Sequence, residues 1–112
     1  MTKIAIVGSG LIGRAWATVF ASHGFDVALH DVVAGAAEAA RAHIATNLGE
    51  LAEHGLVDDP KGALARIRVA ASLADALAGA GFVQENGPET VEAKRALFAE
   101  MDALAAPDTI LS

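Results

Sequence analysis

The sequence predicts an α/β fold, a doubly wound parallel sheet in three layers with helices on both faces. Strand-like and helix-like segments alternate along the chain, as in repeated strand–helix–strand units. The first strand-like segment, IAIV at residues 4–7, is a short continuous apolar run of the kind buried on both faces of a parallel sheet. A glycine-rich turn then leads into a helical pattern. We therefore expect one domain over residues 1–112.

The first strand–helix–strand unit ends near residue 30. After the glycine turn, a helix is predicted to end near residue 23, because Gly24 supplies a stop signal. Residues 26–30 are predicted to be the second strand. The large apolar side chains of the helix share one face at helical spacing: Ile12, Trp16, Val19 and Phe20.

The remaining segments continue the alternation. Helices are predicted over about 35–54, from Pro60, over 73–78 after a capping Ser72, and over 91–105. Strands are predicted at 66–70, 81–84 and 109–111. Because the chain stops at Ser112, at the fifth strand, we expect the second half of the fold to be incomplete.

Composition excludes several classes of function. The chain has no cysteine, so it can hold no disulfide, thiolate zinc site or cysteine nucleophile. Its net charge of −6 and the lack of a basic stripe make nucleic acid an unfavourable partner. No apolar run approaches the roughly 18 residues of a membrane span, and the start lacks signal-peptide features. We expect a cytoplasmic protein with neither a nucleic-acid nor a membrane partner.

The motif GSGLIG, residues 8–13, predicts a site for the phosphates of a dinucleotide. Gly8 permits the tight turn off the strand, Gly10 lets the backbone approach a pyrophosphate, and Gly13 lets the helix pack closely on the strand. The free N–H groups and positive dipole end of the following helix favour an anion. Taken alone, a GxGxxG pattern also occurs in ordinary glycine-rich turns.

Asp31 strengthens the dinucleotide interpretation and selects the cofactor. It lies at the end of the predicted second strand, 18 residues after Gly13, close to the interval of about 20 at which an acid meets the adenosine ribose. Its carboxylate would accept hydrogen bonds from the two ribose hydroxyls and repel the 2′-phosphate of NADP. The residues that follow, Val32 to Ala34, offer no arginine for that phosphate. We therefore predict that the cofactor is NAD. The alternative interpretation of Asp31 is an ordinary turn residue at the end of a strand.

Two segments together support a family resemblance. GSGLIGRAWATVFASHGFDVALHD and VQENGPETVEAKRALF, the latter at residues 83–98, resemble the NAD-binding domain of the 3-hydroxyacyl-CoA dehydrogenase family. Within that family, the pattern is similar to the branch of gulonate 3-dehydrogenase and lambda-crystallin. The resemblance covers nearly the whole chain and implies a Rossmann-type fold and an NAD cofactor. For the full protein it implies a small-molecule substrate, a homodimer and a helical substrate and dimerisation domain, which we expect to be absent from residues 1–112.

The resemblance also implies roles for individual residues. It places Leu11 and Ile12 at the pyrophosphate through their backbone, and it matches Asp31 to the ribose-binding acid. Glu89 and Lys94 match a glutamate and a lysine that contact the cofactor toward its nicotinamide end. Without the resemblance, Glu89 is an acid suited to a helix start and Lys94 a solvated side chain.

The resemblance implies that the catalytic residues lie beyond this chain. In the family, a histidine paired with a glutamate removes the proton of a 3-hydroxyl group while hydride passes to NAD, and none of the four histidines here matches it. Their spacing also predicts no metal site. We expect the full protein to be a dehydrogenase that acts on a 3-hydroxyacyl-CoA or a 3-hydroxy acid. Residues 1–112 alone should bind its NAD and not catalyse the reaction. The alternatives are an S-adenosylmethionine-dependent methyltransferase domain and a non-catalytic NAD-binding or structural module.

Overall fold

The computed structural model describes residues 3–86 and 90–112 and contains a five-stranded parallel sheet. The bounds of the strands are β1 Lys3–Val7, β2 Asp26–His30, β3 Ile67–Val69, β4 Ala80–Glu85 and β5 Ile110–Leu111. The strands lie side by side in the order β3-β2-β1-β4-β5, and every neighbouring pair is parallel. The doubly wound sheet predicted from the sequence is therefore confirmed, with strand ends within one or two residues of their predicted positions.

Helices cover both faces of this sheet. Their bounds are α1 Leu11–Ser22, α2 Ala36–Glu53, α3 Pro60–Ala65, α4 Leu73–Leu77 and α5 Val91–Leu104. The side chains of Asp59, Ser72 and Thr90 each accept a backbone N–H at the start of α3, α4 and α5. Among these helices, none is both long and apolar enough to span a bilayer.

Alternate residues of the strands pack into two separate hydrophobic cores, one on each face of the sheet. Ile4 and Ile6 of β1 pack with buried residues of α1, α2 and α3 on one face. Ala5 and Val7 pack with buried residues of α4 and α5 on the other face, where Met101 is fully buried. The side-chain alternation of a strand between two helical layers produces this arrangement, so the predicted three layers are present.

Helix α1 packs on the sheet through its small residues. The predicted apolar face is largely exposed, since Ile12, Trp16 and Val19 all face solvent. The buried residues of the helix are instead Gly13, Ala17 and Ala21. Of the predicted apolar face, Phe20 packs against the core. The closest contact with the sheet is made by small residues, because a helix that must approach the strand backbone closely can bring only small side chains into that contact.

The chain order reverses at β1, which has β2 on one side and β4 on the other. Ligands of open parallel sheets bind beyond the carboxyl ends of the strands at such a reversal. Gly8 N donates to His30 O at 2.8 Å, and Asn86 N donates to Val7 O at 2.8 Å, so the residues directly after β1 and β4 are tied to the neighbouring strands at this reversal.

Candidate functional site

The loop after β1 has the geometry that its three glycines predict. Gly8 has a φ of 96°, in the region that side chains disfavour. A Cβ on Gly13 would overlap the carbonyl oxygen of Gly8, which shows how closely the first turn of α1 lies on the end of β1. A Cβ on Gly10 would meet no atom within 4 Å, so open space adjoins the backbone there. The loop is therefore packed on its inner side and accessible at Gly10.

The start of α1 presents free hydrogen-bond donors to that open space. Gly10 is the N-cap and provides no side chain to accept the first amide groups. In the part of the chain that the structure describes, the N–H groups of Leu11, Ile12 and Gly13 have no acceptor, and the first bond of this turn runs from Arg14 N to Gly10 O. Free donors at the positive end of a helix dipole form a site for an anion.

Asp31 lies next to the glycine loop and is bonded to it. Its Oδ2 accepts hydrogen bonds from Ser9 N and Ser9 Oγ, both at 2.8 Å, and its Oδ1 accepts one from Val33 N at 2.9 Å. A carboxylate has about four acceptor positions, so one on Oδ1 remains. Burial alone would raise the pKa of Asp31, but the bonds from Ser9 and Val33, together with nearby His30, lower it overall. The side chain is thus an anion at neutral pH.

A cleft of about 640 Å³ extends from the glycine loop and Asp31. Val32 and Val33 form one wall after β2, and Ala93 and Leu97 of α5 contribute to the other. Asn86, which follows β4, also lines it. An apolar slot with the carboxylate of Asp31 and a helix amino terminus at its edge is suited to a flat heteroaromatic group attached to a sugar phosphate.

Lys94 forms an ion pair with Glu85, an acid at the end of β4. Lys94 Nζ lies 2.8 Å from Glu85 Oε2, the carboxylate side chain being 2% exposed and the lysine 44%. Glu85 is the last residue of β4, so this ion pair connects α5 to the strand end beside the cleft. Glu89, the other acid predicted in this region, lies outside the described residues.

Several contacts could not be read from the motif alone. Ser9 stands between two glycines, and only its position in the turn hints that it faces the acid at the end of β2. The Glu85–Lys94 pair joins residues nine apart, one on β4 and one on α5, and no helical or strand spacing indicates that contact. Within residues 3–86 and 90–112, no three His, Asp or Glu side chains are grouped to hold a metal ion.

Comparison with known proteins identifies close relatives of this arrangement. Residues 3–112 match the family described as "3-hydroxyacyl-CoA dehydrogenase, NAD binding domain". A lambda-crystallin homolog of Rattus norvegicus is 38% identical over 112 residues, covering 97% of this chain and 35% of that protein. An L-carnitine dehydrogenase of Pseudomonas aeruginosa is 37% identical over 107 residues, covering 96% of this chain and 33% of that protein.

A solved structure shares the fold closely. The crystal structure of 3-hydroxybutyryl-CoA dehydrogenase from Escherichia coli aligns with a TM-score of 0.91 and 34% identity, over 98% of this chain and 24% of that one. The chain spans about a third of the length of the curated relatives it matches. The similarity therefore covers nearly all of this chain and a minority of each relative.

Proposed function

The chain is an NAD-binding domain of the 3-hydroxyacyl-CoA dehydrogenase family, and we propose that its NAD is held by the glycine loop, Asp31 and the adjoining cleft. The family predicted from the two sequence segments is confirmed, and NAD is the cofactor of this domain. The observation that carries the placement is the start of α1, where free N–H groups adjoin open space at Gly10.

The pyrophosphate and the adenosine half of the cofactor would each have a binding group among the described residues. The backbone N–H groups of Leu11 and Ile12 would bind the pyrophosphate, with Gly8, Gly10 and Gly13 making that approach possible. Asp31 would accept one hydroxyl of the adenosine ribose at its remaining acceptor position, rather than both hydroxyls as the sequence alone indicated. The adenine would lie between Val33 and Leu97.

The resemblance assigns Glu89 and Lys94 to the nicotinamide end of the cofactor. The Glu85–Lys94 ion pair supports this role for Lys94, because it keeps the ammonium near the end of β4. When bound, NAD supplies the hydride acceptor. Among the described residues that line the cleft, the titratable ones are Asp31 and Glu100, and neither matches the histidine base of the family. We assign the chain cofactor binding, with proton transfer performed by residues outside it.

A protein of its relatives' length that contains this domain would transfer hydride between NAD and the 3-hydroxyl carbon of a 3-hydroxy acid or 3-hydroxyacyl-CoA. The names of two relatives, an L-carnitine dehydrogenase and a 3-hydroxybutyryl-CoA dehydrogenase, support an oxidoreductase with a small-molecule substrate.

Binding measurements on matched glycine variants test the cofactor site. We expect calorimetry to show NADH binding to the chain, and Gly10→Ala to weaken it about tenfold or more, because a methyl group would stand in the open space that the pyrophosphate needs. Gly49→Ala is the control: Gly49 is an exposed residue of helix α2, also with open space around it, and it does not line the cleft. Equal affinities of the two variants, or tighter binding of S-adenosylmethionine than of NADH, would refute the proposed site.

The hydride-transfer proposal has its own test. Residues 1–112 are fused to the remaining two-thirds of the rat lambda-crystallin homolog, and NADH formation is followed with 3-hydroxybutyryl-CoA, L-carnitine and L-gulonate as substrates. Turnover that Gly10→Ala removes supports the proposal. A folded chimera that binds NADH but turns over none of them would instead indicate a non-catalytic NAD-binding module.

A further inference from the structure

A second groove, of about 300 Å³, adjoins the cleft. It lies between the start of α1, the end of β2 and the first turns of α2, and it shares Gly10, Asp31 and Val33 with the cleft. Two side chains that can carry positive charge line it, Arg14 from α1 and His43 from α2. The two spaces thus meet at the carboxylate of Asp31.

Arg14 is available for a ligand in this groove. In the described part of the chain its guanidinium group makes no hydrogen bond or ion pair, although Asp31 lines the same groove. Besides His43, α2 contributes Ala36, Ala39 and Ala40 to the wall of the groove, and these small side chains leave room beside the guanidinium. A group that fills the groove would therefore meet a guanidinium with all of its donors free.

The carboxylate of Asp31 cannot turn away from the groove entrance. Its two oxygens are fixed by the bonds from Ser9 and Val33, and it carries its negative charge at the boundary between cleft and groove. A ribose that bonds to Asp31 from the cleft has its 2′ carbon at this boundary. The groove lined by Arg14 and His43 opens from the same boundary, so it is the space available to a substituent on that carbon, beside the carboxylate of Asp31.

We propose that Arg14, assisted by His43, determines which group the site tolerates on the 2′ carbon of the adenosine ribose, so that the groove is a latent 2′-phosphate site closed by the charge of Asp31. The inference rests on the proposed placement of the adenosine ribose. The preference for NAD then depends on one carboxylate, whereas the cation and the space that a 2′-phosphate needs are already present. The sequence offered no arginine after Asp31, and the fold brings one from α1.

The test compares NADH and NADPH affinities of the chain by calorimetry. Asp31→Asn removes the charge and keeps the shape and an acceptor for Ser9. We expect it to raise the affinity for NADPH relative to NADH about tenfold or more. Adding Arg14→Gln should abolish that gain, and adding His43→Gln should reduce it. Adding Arg95→Gln should leave it intact, since Arg95 is an exposed arginine of α5 that lines neither space.

An unchanged NADPH-to-NADH ratio in Asp31→Asn, or a gain that survives Arg14→Gln, would overturn the inference. If Asp31→Asn does not fold, Arg14→Gln alone decides: at low salt it should weaken NADPH binding more than NADH binding, and an equal effect on both would refute the role. NADH binding with an unchanged ratio refutes only this inference. Failure of the unaltered chain to bind either nucleotide would refute the proposed function as well.

Discussion

Asp31 and Ser9, 22 residues apart in the chain, are joined by two hydrogen bonds of 2.8 Å, from the backbone N–H and from the hydroxyl of Ser9 to one carboxylate oxygen. The acid that ends β2 is thereby attached to the loop that follows β1. The phosphate-binding part and the ribose-binding part of the proposed site form one hydrogen-bonded unit, so a change in either residue should affect both.

Ser9→Ala should weaken this unit in a pH-dependent way. The bonds lower the pKa of Asp31 below its ordinary value, so the carboxylate stabilises the fold above its unfolded-state pKa, and that contribution is lost as pH falls through the folded-state pKa. Without the hydroxyl, the pKa of Asp31 should rise, and the unfolding free energy near pH 7 should fall by about 1 kcal/mol or less.

Carboxyl NMR titration and urea unfolding at pH 7 and at acid pH measure these two effects. Ser22→Ala serves as the control, because Ser22 Oγ donates only to Thr18 O in its own helix. It should leave the pKa of Asp31 unchanged. An unaltered pKa in Ser9→Ala would contradict the prediction.

Gly13→Ala and Gly49→Ala should have opposite effects on stability, although both replace a glycine inside a helix. A methyl group on Gly13 would collide with the carbonyl oxygen of Gly8, so α1 must shift, at a cost of about 1–3 kcal/mol. Gly49 is exposed with open space around it, and alanine there should stabilise the chain by about 0.5–1 kcal/mol. Urea midpoints of the two variants settle the matter, and a tolerated Gly13→Ala would show that α1 is not in close contact with β1.

Lys94→Met should destabilise the chain because it removes the ammonium partner of a buried carboxylate. Glu85 has a side chain that is 2% exposed, and we expect a loss of about 1–3 kcal/mol. Arg95→Met, one position along the same helix on an exposed residue, should stay within about 0.5 kcal/mol of the parent chain.

A double-mutant cycle with Glu85→Gln isolates the pair itself. The double variant should lose less stability than the sum of the two single variants, since each single change leaves one charge without the other. Strictly additive losses would mean that the 2.8 Å contact between Lys94 and Glu85 contributes no coupling energy.

Ala17→Leu and Val19→Gln test which face of α1 packs on the sheet. Ala17 is fully buried, so the larger side chain should overpack the contact and cost about 1–3 kcal/mol. Val19 is 47% exposed, so glutamine there should change the unfolding free energy by no more than about 0.5 kcal/mol. Thermal and urea unfolding of the two variants would contradict the packing described above if Val19→Gln proved the more damaging.

Local pattern was sufficient for most of the architecture. Helix α2 follows the spacing of Ala37, Ala40, Ile44 and Leu48, all of which are buried, and α4 begins at the capping Ser72. The spacing of large apolar residues did not identify which face of α1 packs on the sheet. Hydrophobicity shows which face of a helix can be buried, but it does not show how closely the helix must approach its neighbour. That distance is set by Gly13 against Gly8, a contact between backbone atoms.

The order of strands and helices, the glycine turn and the acid at the end of β2 are evident from sequence, because each depends on residues close together in the chain. The partners of those residues are evident only in the folded chain: Ser9 bonds to Asp31, Lys94 pairs with Glu85, and Arg14 lines the same groove as Asp31. Such pairings depend on how α1, β2, β4 and α5 are arranged around the carboxyl ends of the strands. That placement results from the packing of the whole domain, which no short segment encodes.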